Sequence, residues 1–178
     1  FSAIAADSGT GAAAASSSQT PVSGDDWFFM PSYTTAHWSG DVRAYKYNVA
    51  TDSTVTLPDT SGTPLWSAAQ RLTAQGTART IYFNGNGSLA AFNYANLGMA
   101  GLATPFDNRC SSATILLSQC SGTGAISTAA VAQATGSNLV DYLRGSRTLE
   151  LSAASADNRV FRTRTQLLGD LVNAAPVY

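Results

Sequence analysis

The first dense apolar run along the chain is Trp27-Phe28-Phe29-Met30, and Pro31 limits how far a central strand can extend from it. His37 to Asp41 is rich in breakers and predicts a turn. Tyr45, Tyr47 and Val49 then alternate with Lys46 and Asn48, a period of two that predicts a half-buried strand over 42–49. Asp52, Pro58, Asp59, Gly62 and Pro64 make 50–64 a long turn region. Trp66, Ala69 and Leu72 share one helical face between Pro64 at a first-turn position and Gly76 past the end, which predicts a helix. Residues 79–83 read as a strand, Asn84-Gly85-Asn86-Gly87 as a tight hairpin turn, and 89–92 as the returning strand. Residues 114–117 form a short apolar piece between the two cysteines. Ser137 caps and Gly145 ends a second helix striped by Leu139, Val140 and Leu143. Residues 147–151 and 160–165 read as strands, with Arg162 and Arg164 sharing a face opposite Phe161. Residues 7–24 hold mainly small and polar residues without periodicity, so 1–26 reads as a flexible Ala/Ser/Gly-rich segment. The fold class is mainly β with two short inserted α-helices.

Composition narrows the functional classes. The 178 residues are 44% hydrophobic and 12% charged, with a formal net charge of −1. No basic excess draws the chain to nucleic acid or an anionic membrane. Between Arg79 and Asp141 only Asp107 and Arg109 are charged, and no apolar run has the length of a membrane span. Low charge and many small hydroxyl residues hint at an exported surface protein. The chain begins at Phe1 and ends at Tyr178 in what reads as the entry to a strand, so a segment of a longer protein is expected.

Candidate chemistry is sparse. An even cysteine count in an exported-looking chain predicts a structural disulfide between Cys110 and Cys120. Closing so short a loop contributes roughly 2.5–3 kcal/mol in the chain-entropy model. The spacing fits neither a redox CxxC nor a zinc pattern. His37 is the sole histidine, no GxSxG is present, and a turn histidine bonded to backbone is the simpler reading. Asp25, Asp26, Asp52 and Asp59 form no calcium loop, and turn or capping roles suit them better. No catalytic, cofactor-binding or metal residue is assigned, and the chain is expected not to be an enzyme. Arg144, Arg147, Arg159, Arg162 and Arg164 lie among Asp141, Glu150, Asp157 and Asp170. Arg144, Arg147, Arg162 and Arg164 are the candidate interaction surface for an acidic ligand. The competing reading is a charge-balanced face that pairs arginine with carboxylates and loop carbonyls.

Four stretches resemble the PilY-type family of type IV pilus proteins. Trp38-Ser39-Gly40-Asp41-Val42-Arg43-Ala44 is similar to its "W-S-G-D-L-x-A" strand entry. Trp66-Ser67-Ala68, Leu72 and Arg79-Thr80-Ile81-Tyr82 resemble the segment that follows. Val140-Asp141-Tyr142-Leu143-Arg144-Gly145 is similar to "L-V-x-Y-L-R-G-D", with Ser146 where the family often has Asp. Phe161-Arg162-Thr163-Arg164 and 168–178 resemble "R-x-R-x-x-x-L-G-D-I-V-N-S-x-P-V-Y", the most specific match. The resemblance implies that 27–178 is the N-terminal portion of a propeller-like domain. It implies a non-enzymatic part in pilus assembly, pilus-tip adhesion and twitching motility. The implied location is exported: cell surface or pilus tip, outer membrane or periplasm. Minor pilins, the rest of the same protein, or a host or abiotic surface are the implied partners, with no nucleic acid and no transmembrane segment. The family's calcium loop has no counterpart here, so no cofactor is expected in this segment. Two other classes compete. Trp27, Trp38 and Trp66 would suit a glycan- or surface-binding extracellular β module, and a quinoprotein-like propeller enzyme would need acids and a metal site that this segment lacks.

Overall fold

The computed structural model describes residues 8–9, 15–16, 27–34, 38–50, 54–56, 62–110, 120 and 126–171. The chain divides into two compact units, residues 1–74 with 165–178, and residues 75–164.

The first unit contains β1 (Ser8–Gly9), β2 (Ala15–Ser16), β3 (Trp27–Thr34), β4 (Ser39–Lys46), β5 (Asn48–Val49), β6 (Val55–Thr56) and β7 (Trp66–Ser67). β3 and β4 pair antiparallel from Trp27 opposite Lys46 to Thr34 opposite Ser39. β1 and β2 pair with opposite ends of β3, β7 pairs with β4, and β5 pairs with β6. Pro31 falls between the two short partners of β3, where its missing N–H interrupts neither ladder. Two dipeptides of the segment read as a flexible lead are thus paired to the sheet. The period of two sets the aromatic packing. Trp27 stacks on Phe29 with centroids 6.4 Å apart, and Phe29 meets Trp66 at 6.1 Å. Phe28, between them in sequence, meets Tyr47 edge-on at 5.5 Å. α1 (Ala68–Gln75) follows β7 directly; it ends before Gly76 as expected, but it starts four residues after Pro64, and Trp66 lies in β7 rather than on the helix face.

The second unit starts from a 3₁₀ turn at Gly76–Ala78. A hairpin follows, β8 (Tyr82–Gly85) and β9 (Ser88–Ala91), then α2 (Tyr94–Met99), α3 (Thr128–Gln133) and α4 (Gly136–Arg144). Of the two Asn-Gly pairs, Asn86-Gly87 makes the turn. Both residues have positive φ, 56° and 87°, and Asn84 Oδ1 accepts from Gly87 N–H at 2.8 Å. The core is Ala130, Ala134, Leu139, Val160 and Phe161, with Phe106, Cys110, Ile126, Tyr142 and Leu149 packed on it. Phe83, Phe92 and Phe106 continue it as an edge-to-face chain at 6.3 and 6.1 Å.

The architecture is small antiparallel sheets with helices; no closed barrel or propeller is present among the described residues. The described residues hold four α-helices rather than two. α2 and α3 are announced only by their caps, Asn93 accepting from Asn96 N–H and Ser127 from Ala130 N–H. The strands expected at 147–151 and 160–165 reduce to one bridge between Glu150 and Phe161. Ser39–Asp41, expected in a turn, open β4, and Gly169 bridges Ser39. His37, 114–117 and 172–178 lie outside the described residues. No helix among the described residues is long and apolar enough to cross a membrane.

Candidate functional site

Two polar centres stand out, one in each unit. In the second, the arginines of the candidate surface gather round the C-terminus of α4. Gly145, with φ 117°, ends that helix; Gly145 N–H donates to Tyr142 O at 3.0 Å and Ser146 N–H to Asp141 O at 2.9 Å. This is a Schellman closure, and φ 117° requires glycine. The carbonyls still unmet attract guanidinium groups, because the helix dipole is negative at this end.

Arg164 is the central group. Its Nε donates to Glu150 Oε1 at 2.8 Å, Nη1 to Tyr142 O at 2.8 Å, and Nη2 to Ser146 O at 2.7 Å. Its guanidinium also lies 3.8 Å from the Tyr142 ring centroid, and that ring stacks on Phe161 at 4.6 Å. Arg79 donates from Nε to Arg144 O at 2.9 Å and from Nη2 to Leu143 O at 3.1 Å. Burial, then repulsion by Arg164 and Arg144, lowers the pKa of Arg79 from its ordinary value. Arg144 donates to Thr77 O at 3.2 Å and reaches Asp141 Oδ1 at 3.5 Å. Arg147 Nη1 donates to Arg164 O at 2.9 Å and lies 3.9 Å from Glu150 Oε2. Glu150 is 1% exposed, and its Oε2 accepts no hydrogen bond.

Arg144, Arg147 and Arg164 are therefore brought together, and the hydrogen bonds described for them go to carbonyls and carboxylates of the unit itself, while Arg144 Nε and Arg147 Nε are buried without a hydrogen bond. Arg162 is exposed; it is joined to the cluster through its carbonyl, which accepts from Tyr142 Oη at 3.1 Å. Arg162 and Arg164 part because the segment is not a strand. Arg79 was missed as a member of the cluster, since it lies 65 residues from its acceptor Arg144 O and no local pattern links them. Arg159 donates to Ala153 O at 2.9 Å, and Asp157 accepts from Ser127 Oγ at 3.2 Å. Cys110 and Cys120 form a disulfide. Asp25, Asp26, Asp52 and Asp59 lie outside the described residues. Among the described residues, no three His, Cys, Asp or Glu side chains are grouped to hold a metal ion.

In the first unit the centre is Asp41, 5% exposed. Oδ1 accepts from Ala69 N–H at 3.0 Å and from Ser67 Oγ at 2.9 Å, and Oδ2 accepts from Arg43 Nε at 3.0 Å. Ser67 Oγ in turn accepts from Gln70 N–H at 3.1 Å. Asp41 and Ser67 together cap the first turn of α1, and the carboxylate meets the positive helix end. The hydrogen bond to Asp41 raises the pKa of Arg43 above its ordinary value. Beside this centre lies a cavity of about 420 Å³. Trp38, at the entry to β4, is 64% exposed and holds a left-handed φ of 49°.

No known family model, curated protein or solved structure matches the chain.

Proposed function

We propose that this chain is a non-enzymatic segment of a PilY-type protein that acts in type IV pilus assembly and in adhesion at the pilus tip. In this reading it is exported, and its sheets belong to a propeller-like domain completed by further sequence or by a pilin partner. The observation that carries the reading is the meeting of separated motif segments. A Cβ at Gly40 would lie 2.8 Å from Gly169 O and 2.9 Å from Leu171 Cγ, so "W-S-G-D" and "L-G-D" are in backbone contact. In the other unit, Tyr142 of the helix motif lies under Arg164 of the "R-x-R" motif. Residues that resemble one family's pattern at distant positions thus serve one another in space, which chance likeness of short motifs does not require. The Cys110–Cys120 disulfide is compatible with an extracellular protein.

The test is a deletion in the producing bacterium, read by counting surface pili and by twitching on a surface. Both are expected to fall and to return on complementation. Normal piliation and twitching in the deletion strain would overturn the proposal. Complementation with Arg162→Ala, whose side chain is exposed, then asks whether that arginine contacts a partner.

A further inference from the structure

We infer that the cavity beside Asp41 is a saccharide subsite, built to hold one neutral, hydroxyl-rich sugar unit through amide, hydroxyl and guanidinium groups. Its size, about 420 Å³, lies within the usual range of small-ligand pockets, about 300–1,000 Å³. The floor is buried and rigid: Asp41, Ser67 and Ala69 are 5%, 3% and 3% exposed and are tied to one another by hydrogen bonds. The rim is polar and open, formed by Arg43, Gln70, Thr73 and Gln166. Among the described residues, the side chains of Gln70, Thr73 and Gln166 make no hydrogen bond.

The chemistry of the rim selects the ligand class. Amide and hydroxyl groups both donate and accept, as sugar hydroxyls do. A carboxylate only accepts, so it would leave the Gln70 and Gln166 carbonyls without donors and would face Asp41 across the cavity. The sole full charges at the site, Asp41 and Arg43, neutralise each other at 3.0 Å. That contact uses Nε, and Tyr45 also bonds the guanidinium, so the group is held in one orientation at the rim. Ala74, exposed at the edge of the cavity, adds small apolar surface against which the C–H face of a sugar can rest. The first-turn amides of α1 are already engaged by Asp41 and Ser67, so the helix end is no anion site of its own.

The inference deepens the adhesive half of the proposed function and rests on it only for its biological role. The test is binding by the purified chain, whereas assembly is read from piliation, so the two can fail separately. N-acetylglucosamine, glucose and galactose are titrated, with acetate and N-acetylneuraminic acid as charged probes, and binding is followed by calorimetry and by side-chain amide NMR. A neutral sugar is expected to bind and to shift the Gln70 and Gln166 amide resonances. Gln70→Leu and Gln166→Leu, both at exposed positions, are each expected to weaken it about three- to tenfold with an unchanged melting temperature. No binding of any neutral probe, binding unaffected by both substitutions, or tighter binding of the charged probes would overturn the inference.

Discussion

Asp41 in the first unit and Glu150 in the second are both buried acids beside a helix end, 5% and 1% exposed. Asp41 sits at the positive N-terminus of α1, and both of its oxygens accept hydrogen bonds. Glu150 lies near the negative C-terminus of α4, where the dipole opposes a carboxylate. It is held there by Arg164, which also binds two carbonyls of that helix end, while Oε2 faces Arg147 at 3.9 Å without a hydrogen bond. The first acid belongs where it is by local electrostatics. The second is retained because an arginine needs a counterion at a place that attracts cations. Stability should therefore depend on different partners in the two units.

Arg164→Ala is expected to have the largest effect, about 3–5 kcal/mol, because Glu150 keeps a buried charge while losing its hydrogen-bonded ionic partner and retaining only Arg147 at 3.9 Å. Asp41→Ala should cost less, about 1–3 kcal/mol, since it removes a cap and leaves donors that water and Ser67 partly satisfy. Urea unfolding checks both. All three tryptophans, Trp27, Trp38 and Trp66, belong to the first unit, so tryptophan fluorescence reports that unit and circular dichroism reports both. Arg164→Ala should move the dichroism transition and spare the fluorescence one. A larger loss from Asp41→Ala would break the comparison.

Opening the Cys110–Cys120 bond by Cys110→Ser with Cys120→Ser should cost roughly 2.5–3 kcal/mol, again in the second unit. Equal dichroism transitions for the two forms would show that the bond does not constrain the unfolded chain. Gly40→Ala sharpens the other side. Its Cβ would meet Gly169 O at 2.8 Å, so a loss of about 1–3 kcal/mol is expected, read by tryptophan fluorescence. An unchanged transition would mean that residues 169–171 yield without cost.

The smallest effect concerns pH. Tyr94 Oη donates to Asp107 Oδ1 at 2.7 Å, and this bond raises the phenol pKa above its ordinary value. The raised folded value means that the contribution is complete below the ordinary tyrosine pKa of about 10 and is lost as pH rises through the folded one. Ultraviolet titration should show one phenol ionising late, and Tyr94→Phe should remove that late step. A titration unchanged by the substitution would refute the assignment.

Local signals carried much of the pattern. Gly145 stops α4, Asn86-Gly87 turns the β8–β9 hairpin, and the period of two at Tyr45 and Lys46 marks the end of β4. Each of these follows from the backbone freedom or side-chain period of neighbouring residues, so a single sequence suffices to read it. The short α2 and α3 were overlooked because six-residue helices have little periodicity beyond their caps.

What the sequence determined by itself was therefore short-range: turns, the glycine stops of helices, strand period and the pairing of two nearby cysteines; the helix starts expected at Pro64 and Ser137 fall instead at Ala68 and, with Thr135 as cap, at Gly136. Tertiary structure decided which way the charges face. The pattern around Phe161 predicts a strand, yet 160–165 runs irregularly, because Arg164 is drawn inward by Glu150 and by the Tyr142 and Ser146 carbonyls at the end of α4. The same holds for Arg79 and for Asp41, whose partners lie 65 and 28 residues away at Arg144 and Ala69. A carbonyl left open at a helix end attracts whichever guanidinium the packed chain brings within reach, and that proximity is a property of the folded chain rather than of neighbouring residues.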